Sequence, residues 1–586
     1  MGMGAATAQG PKPTQKRTSQ VNQESGDQPW ISRVDHLLTL EVGLYLAAVV
    51  VGVVLRLLLI DARPLSVEEG ALASESYRIW QGQPPESLHQ GPLTAFGTAL
   101  SLALFAGGDG AARLLSALFG TALIGVPFLL RQSLGRTAGL IAAWSLAFSP
   151  LMLFASRDVG SGIVPVTLGM LLWWTLQNGT KGLDSTRGYG AALLTGALMA
   201  SGGEGISVLV TLGIAAILSH PSPRVLLAEL RQFLLTPLCK RMALAFAAAA
   251  LILGTGLGTN LRGVQWVLVD SWTGWASSFS LSAPRGTLIW MLLIYELPVV
   301  LMAFVQLIRT LPRRERTDLF VSLWAMLLLL LCMLQTGGTA ARVVLPALPI
   351  YLLAARLGAS TIGVTHHIRG GWRWNSAALV VTVPATVGIV LANRGTTPGL
   401  DIPSIYLYGE AIVVAVAGVV TVLLLSGGAR RALGWCVLAV LSVGFIFHNS
   451  VTLNYNQETA IKEPVVGVQP SAALRSAARD ASYYSRVYRT PVTVDPQLRG
   501  ALEWYLRDAR DVQYGADRPD GISISLFRDT GQDPKPEYER RPGVLTPAID
   551  PPGTTWQGVW RWVVFRDGLV RTDPRDTIIR APAGNW

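Results

Sequence analysis

The chain has 586 residues, of which 50% are hydrophobic and 15% charged, with a formal net charge of +11 and a mean hydropathy of +0.40. Soluble domains carry about 25% charged residues, so an ordinary water-soluble enzyme is excluded, and the apolar residues gather instead into long uncharged runs. The positive charge does not imply nucleic acid: from Tyr455 onward 18 Lys/Arg face 17 Asp/Glu, so the surplus lies between apolar runs, where it reports membrane orientation.

Residues 1–36, rich in Gln, Ser, Gly and Pro, read as a disordered cytosolic tail. The run 37–60 is too long for a signal-peptide core and reads as a first, uncleaved span. The segment 93–106 is apolar but has only 14 residues, short of the roughly 20 that a span needs. Laid on the outer surface, it lets 113–130 cross inward and puts the basic loop 131–136 in the cytosol. Further spans are expected at 137–156, 163–177, 189–201, 205–219, 242–258, 287–308, 319–336, 342–358, 376–392, 406–426 and 431–449. Together they make about thirteen, so the N-terminus lies inside and residues 455–586 outside.

That tail is soluble in composition. Helices are expected at Ala472–Tyr488 and Gln497–Asp508, and strands at Val492–Asp495 and Gly521–Leu526. Trp556, Trp560 and Trp562 read as packing residues of a small core. The fold class is thus a polytopic helical membrane domain over 37–449, followed by a small α/β extracytoplasmic domain.

Chemistry concentrates in the first outer loop, 61–112, which holds Asp61, Glu68, Glu69, Glu75, Glu86 and Asp109 against Arg63 and Arg78. A carboxylate at a membrane face is placed to take a proton from an acceptor hydroxyl; the plainer reading is a solvated acidic loop. Arg113, Arg157 and Arg342 fall at the outer ends of spans, against the positive-inside bias. Each needs a carboxylate partner or an anionic ligand such as a lipid phosphate, for which the guanidinium fork is suited; snorkelling to headgroups is the alternative. Glu204, between two apolar halves, is a candidate by its depth. Three cysteines, Cys239, Cys332 and Cys436, give no metal-ligand spacing. The glycines of Gly254–Gly258 follow no strand and read as helix packing. The sequon Asn178-Gly179-Thr180 falls on the cytosolic side.

Leu65-Ser66-Val67-Glu68-Glu69-Gly70, His89-Gln90-Gly91-Pro92-Leu93, the run Arg113–Gly120, Ser149-Pro150 and Ser156-Arg157 come in an order and spacing that resembles the polyprenyl-phosphate-sugar glycosyltransferases of the GT-C fold. These include the protein O-mannosyltransferases and the aminoarabinose transferases; the nearest look is to a prokaryotic flippase-activity-associated branch. Arg342 with Pro346-Ala347-Leu348-Pro349, and Glu503-Trp504-Tyr505-Leu506-Arg507-Asp508, extend the likeness.

The resemblance implies that Glu68 is the general base, where the family has Asp, with Glu69 orienting or polarising. Arg113, Arg342 and His89 would hold the donor phosphate, supported by Arg157, Asp158 and Glu204. The family's second acidic residue falls at Gly162 here, and Asp158 is its nearest substitute. The expectation is an inverting transfer, at the outer face of a prokaryotic plasma membrane, from a polyprenyl-phosphate-linked sugar to a protein, lipid or glycan acceptor. No cofactor is expected, a divalent metal is left open, and nucleic acid is not a partner. The rival reading is a non-catalytic lipid-handling or flippase-associated protein of the same fold. A secondary transporter fits less well, because the candidates cluster at one face rather than at mid-membrane. Glu68, Arg113, Glu204 and Arg342 are expected to converge on one anionic site.

Overall fold

A computed structural model describes residues 40–83, 91–105, 107–160, 162–177, 185–279, 287–313, 315–335, 340–366, 428–455, 463, 465–515, 521–526, 538–549 and 570–580. Two units are distinguished, residues 1–44 and 45–586. In the first, only the opening of the helix Leu40–Leu57 is described. The expected disordered tail 1–36, the spans 376–392 and 406–426, Glu86, His89 and the three late tryptophans lie outside the described residues.

Seven described helices are long and apolar enough to cross a membrane: Leu40–Leu57, Asp109–Leu129, Pro237–Gly254, Leu288–Thr310, Arg316–Leu334, Val344–Thr361 and Val437–Asn454. The chain is a multi-pass, mainly helical membrane protein. Shorter helices fall where other spans were expected. Ile163–Gln177 is apolar all round and buries Val164, Met170 and Trp173 in the main core, as a helix enclosed by others must. Ser185–Ala200 and Gly203–Leu218 meet at Gly202, whose φ of 92° turns the chain between them.

The expected span 137–156 is two helices, Arg136–Phe148 and Pro150–Ala155. Pro150 keeps its predecessor out of the helical region, and Ser149 there caps the second helix by accepting from the Met152 N–H at 3.1 Å. The helix Thr287–Arg313 kinks at Glu296 (φ −127°, ψ 22°), two residues before Pro298. Proline has no N–H to offer the carbonyl four residues back. Asn449 fills that gap, donating to the carbonyls of Ile294 at 3.4 Å and Tyr295 at 3.3 Å.

The short apolar segment within the first loop is a 13-residue helix, Pro92–Leu104. Gly91 starts it at φ 98° with the backbone of Ser201 and Gly202 against it. A Cβ there would come within 2.6 Å of the Ser201 carbonyl carbon, so only glycine fits.

The C-terminal part is a six-stranded sheet in the order β1-β5-β6-β4-β2-β3, made of Gln469–Pro470 (β1), Val492–Val494 (β2), Val512–Tyr514 (β3), Ile522–Leu526 (β4), Tyr538–Ile549 (β5) and Val570–Arg580 (β6). β2 runs parallel to β3 and β4, and the other pairings are antiparallel. The helix Ala472–Tyr488 packs on the sheet and is capped by Ser471, which accepts from the Leu474 N–H at 3.0 Å. The expected helix 497–508 is a correction. Only a 3-10 turn, Pro496–Leu498, and one helical turn, Arg499–Leu502, are formed. Trp504, Tyr505 and Leu506 are all buried, which one face of a helix cannot do for three successive residues. These side chains share one hydrophobic core with Leu65, Ala73, Leu102, Ala112 and Val159 of the membrane part.

Candidate functional site

The first-loop helix Val67–Trp80 begins with a capping box. The Ser66 hydroxyl accepts from the Glu69 N–H at 3.2 Å, and the Glu69 carboxylate accepts from the Ser66 N–H at 2.9 Å. Ser-x-x-Glu ahead of an apolar stretch signals this arrangement. It turns Glu69 back beneath the loop, and Glu68, about 100° away around the helix, faces outward.

Glu69 is fully enclosed. Beyond Ser66 it accepts from Arg113 Nε at 2.8 Å, Arg113 Nη2 at 2.9 Å, Arg63 Nη2 at 3.2 Å and the Val159 N–H at 3.2 Å. Burial alone would raise this carboxyl, but the guanidiniums of Arg113 and Arg63 outweigh it and hold it far below the usual carboxylate range. Asp158, 3.4 Å from Arg63, goes the other way, pushed well up by burial and by the Glu69 charge. Burial and the shared surroundings thus drive the two neighbouring carboxyls, Glu69 and Asp158, in opposite directions.

Arg113 has no donor left for a phosphate. Its remaining N–H groups bond the carbonyls of Ile60 at 2.9 Å, Arg63 at 2.8 Å and Pro64 at 3.2 Å. The expected phosphate role of Arg113 is replaced by a structural one: it ties the loop entry to the span helix Asp109–Leu129. Arg157 spends three of its five N–H groups in the same way. It donates to the carbonyls of Leu55 at 2.9 Å, Leu58 at 2.6 Å and Leu59 at 2.9 Å, and stacks over Tyr455. Carbonyls at a helix C-terminus lack partners within the helix, and a cation there satisfies them. The expected orienting role of Glu69 toward an acceptor gives way, for the same reason, to loop anchoring.

Glu68, Glu204 and Arg342 form a second group. Glu68 is exposed and carries no hydrogen bond to a described residue. Partial burial raises its carboxyl, Arg342 opposes that rise, and Glu69 adds to it; Glu68 and Arg342 are therefore within electrostatic reach. Arg342, in the 3-10 turn Ala340–Val343, places its Nε 3.4 Å from a Glu204 carboxylate oxygen. Its Nε and Nη1 are buried without a hydrogen-bond partner among the described residues.

Gly162 adjoins this pair. A Cβ there would lie 3.2 Å from the second Glu204 oxygen, so the Glu204 carboxylate takes the space a side chain at 162 would fill. Asp158, the expected substitute for an acid at 162, sits in the Glu69 group instead. Of the four residues expected to converge, the structure brings three together and sets Arg113 apart; His89 lies outside the described residues.

The tail motif 503–508 holds the loop. Trp504 Nε1 donates to Asp109 at 2.9 Å. The Tyr505 hydroxyl accepts from the Leu65 N–H at 2.8 Å and donates to Asp109 at 3.3 Å. Arg507 donates to the Gly107 carbonyl at 2.6 Å, Asp508 accepts from the Tyr77 hydroxyl at 2.7 Å, and Glu503 pairs with Arg78 at 3.2 Å.

Sequence reasoning did not single out Glu296, which is buried and accepts from Ser149 at 2.7 Å, the Leu151 N–H at 3.2 Å and the Tyr351 hydroxyl. The signal was present: an acid inside an apolar run beside a proline, as informative as Glu204. Among the described residues no group of three or more His, Cys, Asp or Glu side chains is placed to hold a metal ion.

Residues 89–253 match the family model described as dolichyl-phosphate-mannose-protein mannosyltransferase. The fold matches crystal structures of ArnT from Cupriavidus metallidurans. The apo form is 16% identical with a TM-score of 0.50, over 84% of this chain and 93% of that one. The form bound to undecaprenyl phosphate is 16% identical with a TM-score of 0.52, over 93% of this chain and 99% of that one. No curated protein matches by sequence. The chain has the GT-C fold, as its motifs led one to expect.

Proposed function

We propose that this GT-C membrane protein is a glycosyltransferase that moves a sugar from a polyprenyl phosphate to a hydroxyl of a protein, lipid or glycan acceptor. The site faces the outside of a prokaryotic plasma membrane. The observation that carries the reading is Arg342: a largely enclosed guanidinium whose Nε pairs with Glu204 and whose buried Nη1 has no hydrogen-bond partner among the described residues, within electrostatic reach of the open Glu68 carboxylate. The ArnT neighbour binds undecaprenyl phosphate, and the matching family model is named for a dolichyl-phosphate sugar; both support a lipid-phosphate donor.

In this reading the acceptor oxygen attacks the anomeric carbon from the side opposite the phosphate. The bond from that carbon to the phosphate oxygen breaks, so configuration inverts. The acceptor proton passes to Glu68, which acts as general base. The polyprenyl phosphate leaves with its charge held by Arg342, a donor fixed in place before the charge develops. Glu204 restrains the guanidinium. Glu69, Arg63, Arg113 and Asp158 fix the loop from below and touch no reactant. No cofactor enters this step.

Transfer from a synthetic polyprenyl-phosphate sugar in proteoliposomes tests the reading. Glu68→Gln should lower turnover by about 100-fold or more, the usual range for a general base, with donor binding retained. Arg342→Gln should weaken both. Full turnover in Glu68→Gln contradicts the mechanism, and donor binding without transfer by the parent protein assigns a lipid-handling role instead.

A further inference from the structure

A cleft of about 670 Å³ opens between the first loop and the C-terminal part, away from Glu68 and Arg342. One wall is the helix Ala472–Tyr488, whose Arg479, Ser482, Tyr483 and Arg486 line the cleft at the spacing of a single helix face. The opposite side is backbone, Gly107 to Ala111, where the helix Asp109–Leu129 starts, together with Ile60, three residues past the helix Leu40–Leu57. The cleft therefore lies at the level where two candidate spans end.

Its charges are unequally spent. Asp109 is buried and already accepts from Trp504 and Tyr505 and pairs with Arg479 at 3.1 Å and Arg475 at 3.6 Å. Asp508 accepts from Tyr77. Asp61, at the rim, is the one lining carboxylate with no side-chain bond among the described residues. On the cationic side Arg479 offers one nitrogen to Asp109 and is 53% exposed. Arg486 is exposed and has no partner among the described residues. Arg507 is largely committed, donating to the Trp504 and Gly107 carbonyls with its Nε 3.9 Å from Asp508. Unused donors outnumber unused acceptors, so the cleft suits an anion.

The surroundings name the kind of anion. Leu58, Leu59, Leu104 and Phe105 flank the lining in sequence and are 50–67% exposed, and Tyr483 and Tyr488 are exposed on the wall helix. Exposed apolar side chains at span ends with exposed Tyr and arginine on the neighbouring helix form the pattern of a membrane–water boundary. Guanidinium forks fit phosphate oxygens in pairs. We infer that this cleft holds the phosphate headgroup of an anionic membrane lipid, fastening the C-terminal part to the bilayer through Arg479 and Arg486. The inference does not depend on glycosyl transfer and involves none of the residues placed in that site.

Native mass spectrometry of the full chain released from mixed phosphatidylglycerol–phosphatidylcholine nanodiscs tests it. The parent protein should retain phosphatidylglycerol in preference to phosphatidylcholine. Arg486→Gln, at an exposed position whose loss cannot unfold the chain, should lower that retention about five-fold, the share of one interfacial arginine. Asp61→Asn should raise it, because a rim carboxylate repels the headgroup. Unchanged phosphatidylglycerol retention in Arg479→Gln/Arg486→Gln overturns the inference. So does retention of inorganic phosphate with no preference between the two lipids, which assigns the cleft to a free ion.

Discussion

Two neighbouring glutamates carry different chemistry because the helix they start points them to different places. Glu69 is enclosed by two guanidiniums and two backbone N–H groups and stays ionised throughout the physiological range. It cannot accept a further proton from a substrate there. Glu68 is open, and partial burial with Glu69 beside it lifts its carboxyl above the usual range, against the pull of Arg342. A base works only when ionised, so transfer should rise with pH through the Glu68 titration. That rising limb of kcat/KM should lie above pH 4.3, about the ordinary glutamate value. A limb below it, or none, removes Glu68 from the role; Glu69 cannot imitate the effect because its shift has the opposite sign. Asp158 is pushed up too, yet it faces Glu69 and Arg63 rather than the open side.

The elements around the loop are held by the tail. The first loop, 61–112, meets the C-terminal part through a mixed apolar core and through each polar side chain of the 503–508 motif. Tyr505 is the most consequential of these, since its hydroxyl bonds the Leu65 N–H just before the Ser66 cap. Tyr505→Phe leaves that buried N–H unpaired, at a cost of about 1–3 kcal/mol. Its melting temperature should fall, and turnover should fall with donor KM unchanged, because the carboxylate is displaced and the phosphate site is not. Equal losses in donor KM and turnover would instead place the effect on Arg342.

For the whole molecule, the proposed orientation puts residues 455–586 outside and 1–36 inside. Protease added to intact cells should trim the C-terminal part and spare the N-terminus, and the reverse pattern removes the outer-face mechanism. Much of this architecture was legible. Long apolar runs mark their own helices, and the 14-residue stretch read as too short to span is a 13-residue helix. The loop acids and Arg342 stood out as charges in apolar surroundings. The partners of those charges were not legible: an arginine at a span end looks the same whether it awaits a phosphate, as proposed for Arg342, or is engaged by backbone carbonyls, as Arg157 is, and by carbonyls and Glu69 together, as Arg113 is. β5 and β6 gave no clear signal either, because Pro542, Gly543, Pro547 and Pro574 interrupt their alternation. Their pairing is a tertiary outcome, with an irregular step between Arg541 and Val544. The bond from Leu65 to Tyr505 spans 440 residues of sequence. A ribosome adds roughly 5–20 residues per second, so the loop is made tens of seconds before the side chains that brace it. Until residues near 505 have emerged, the loop lacks its C-terminal partners in the shared core. The chain is thus timed to brace this loop only after the apolar helices from Leu40–Leu57 to Val437–Asn454 have been made.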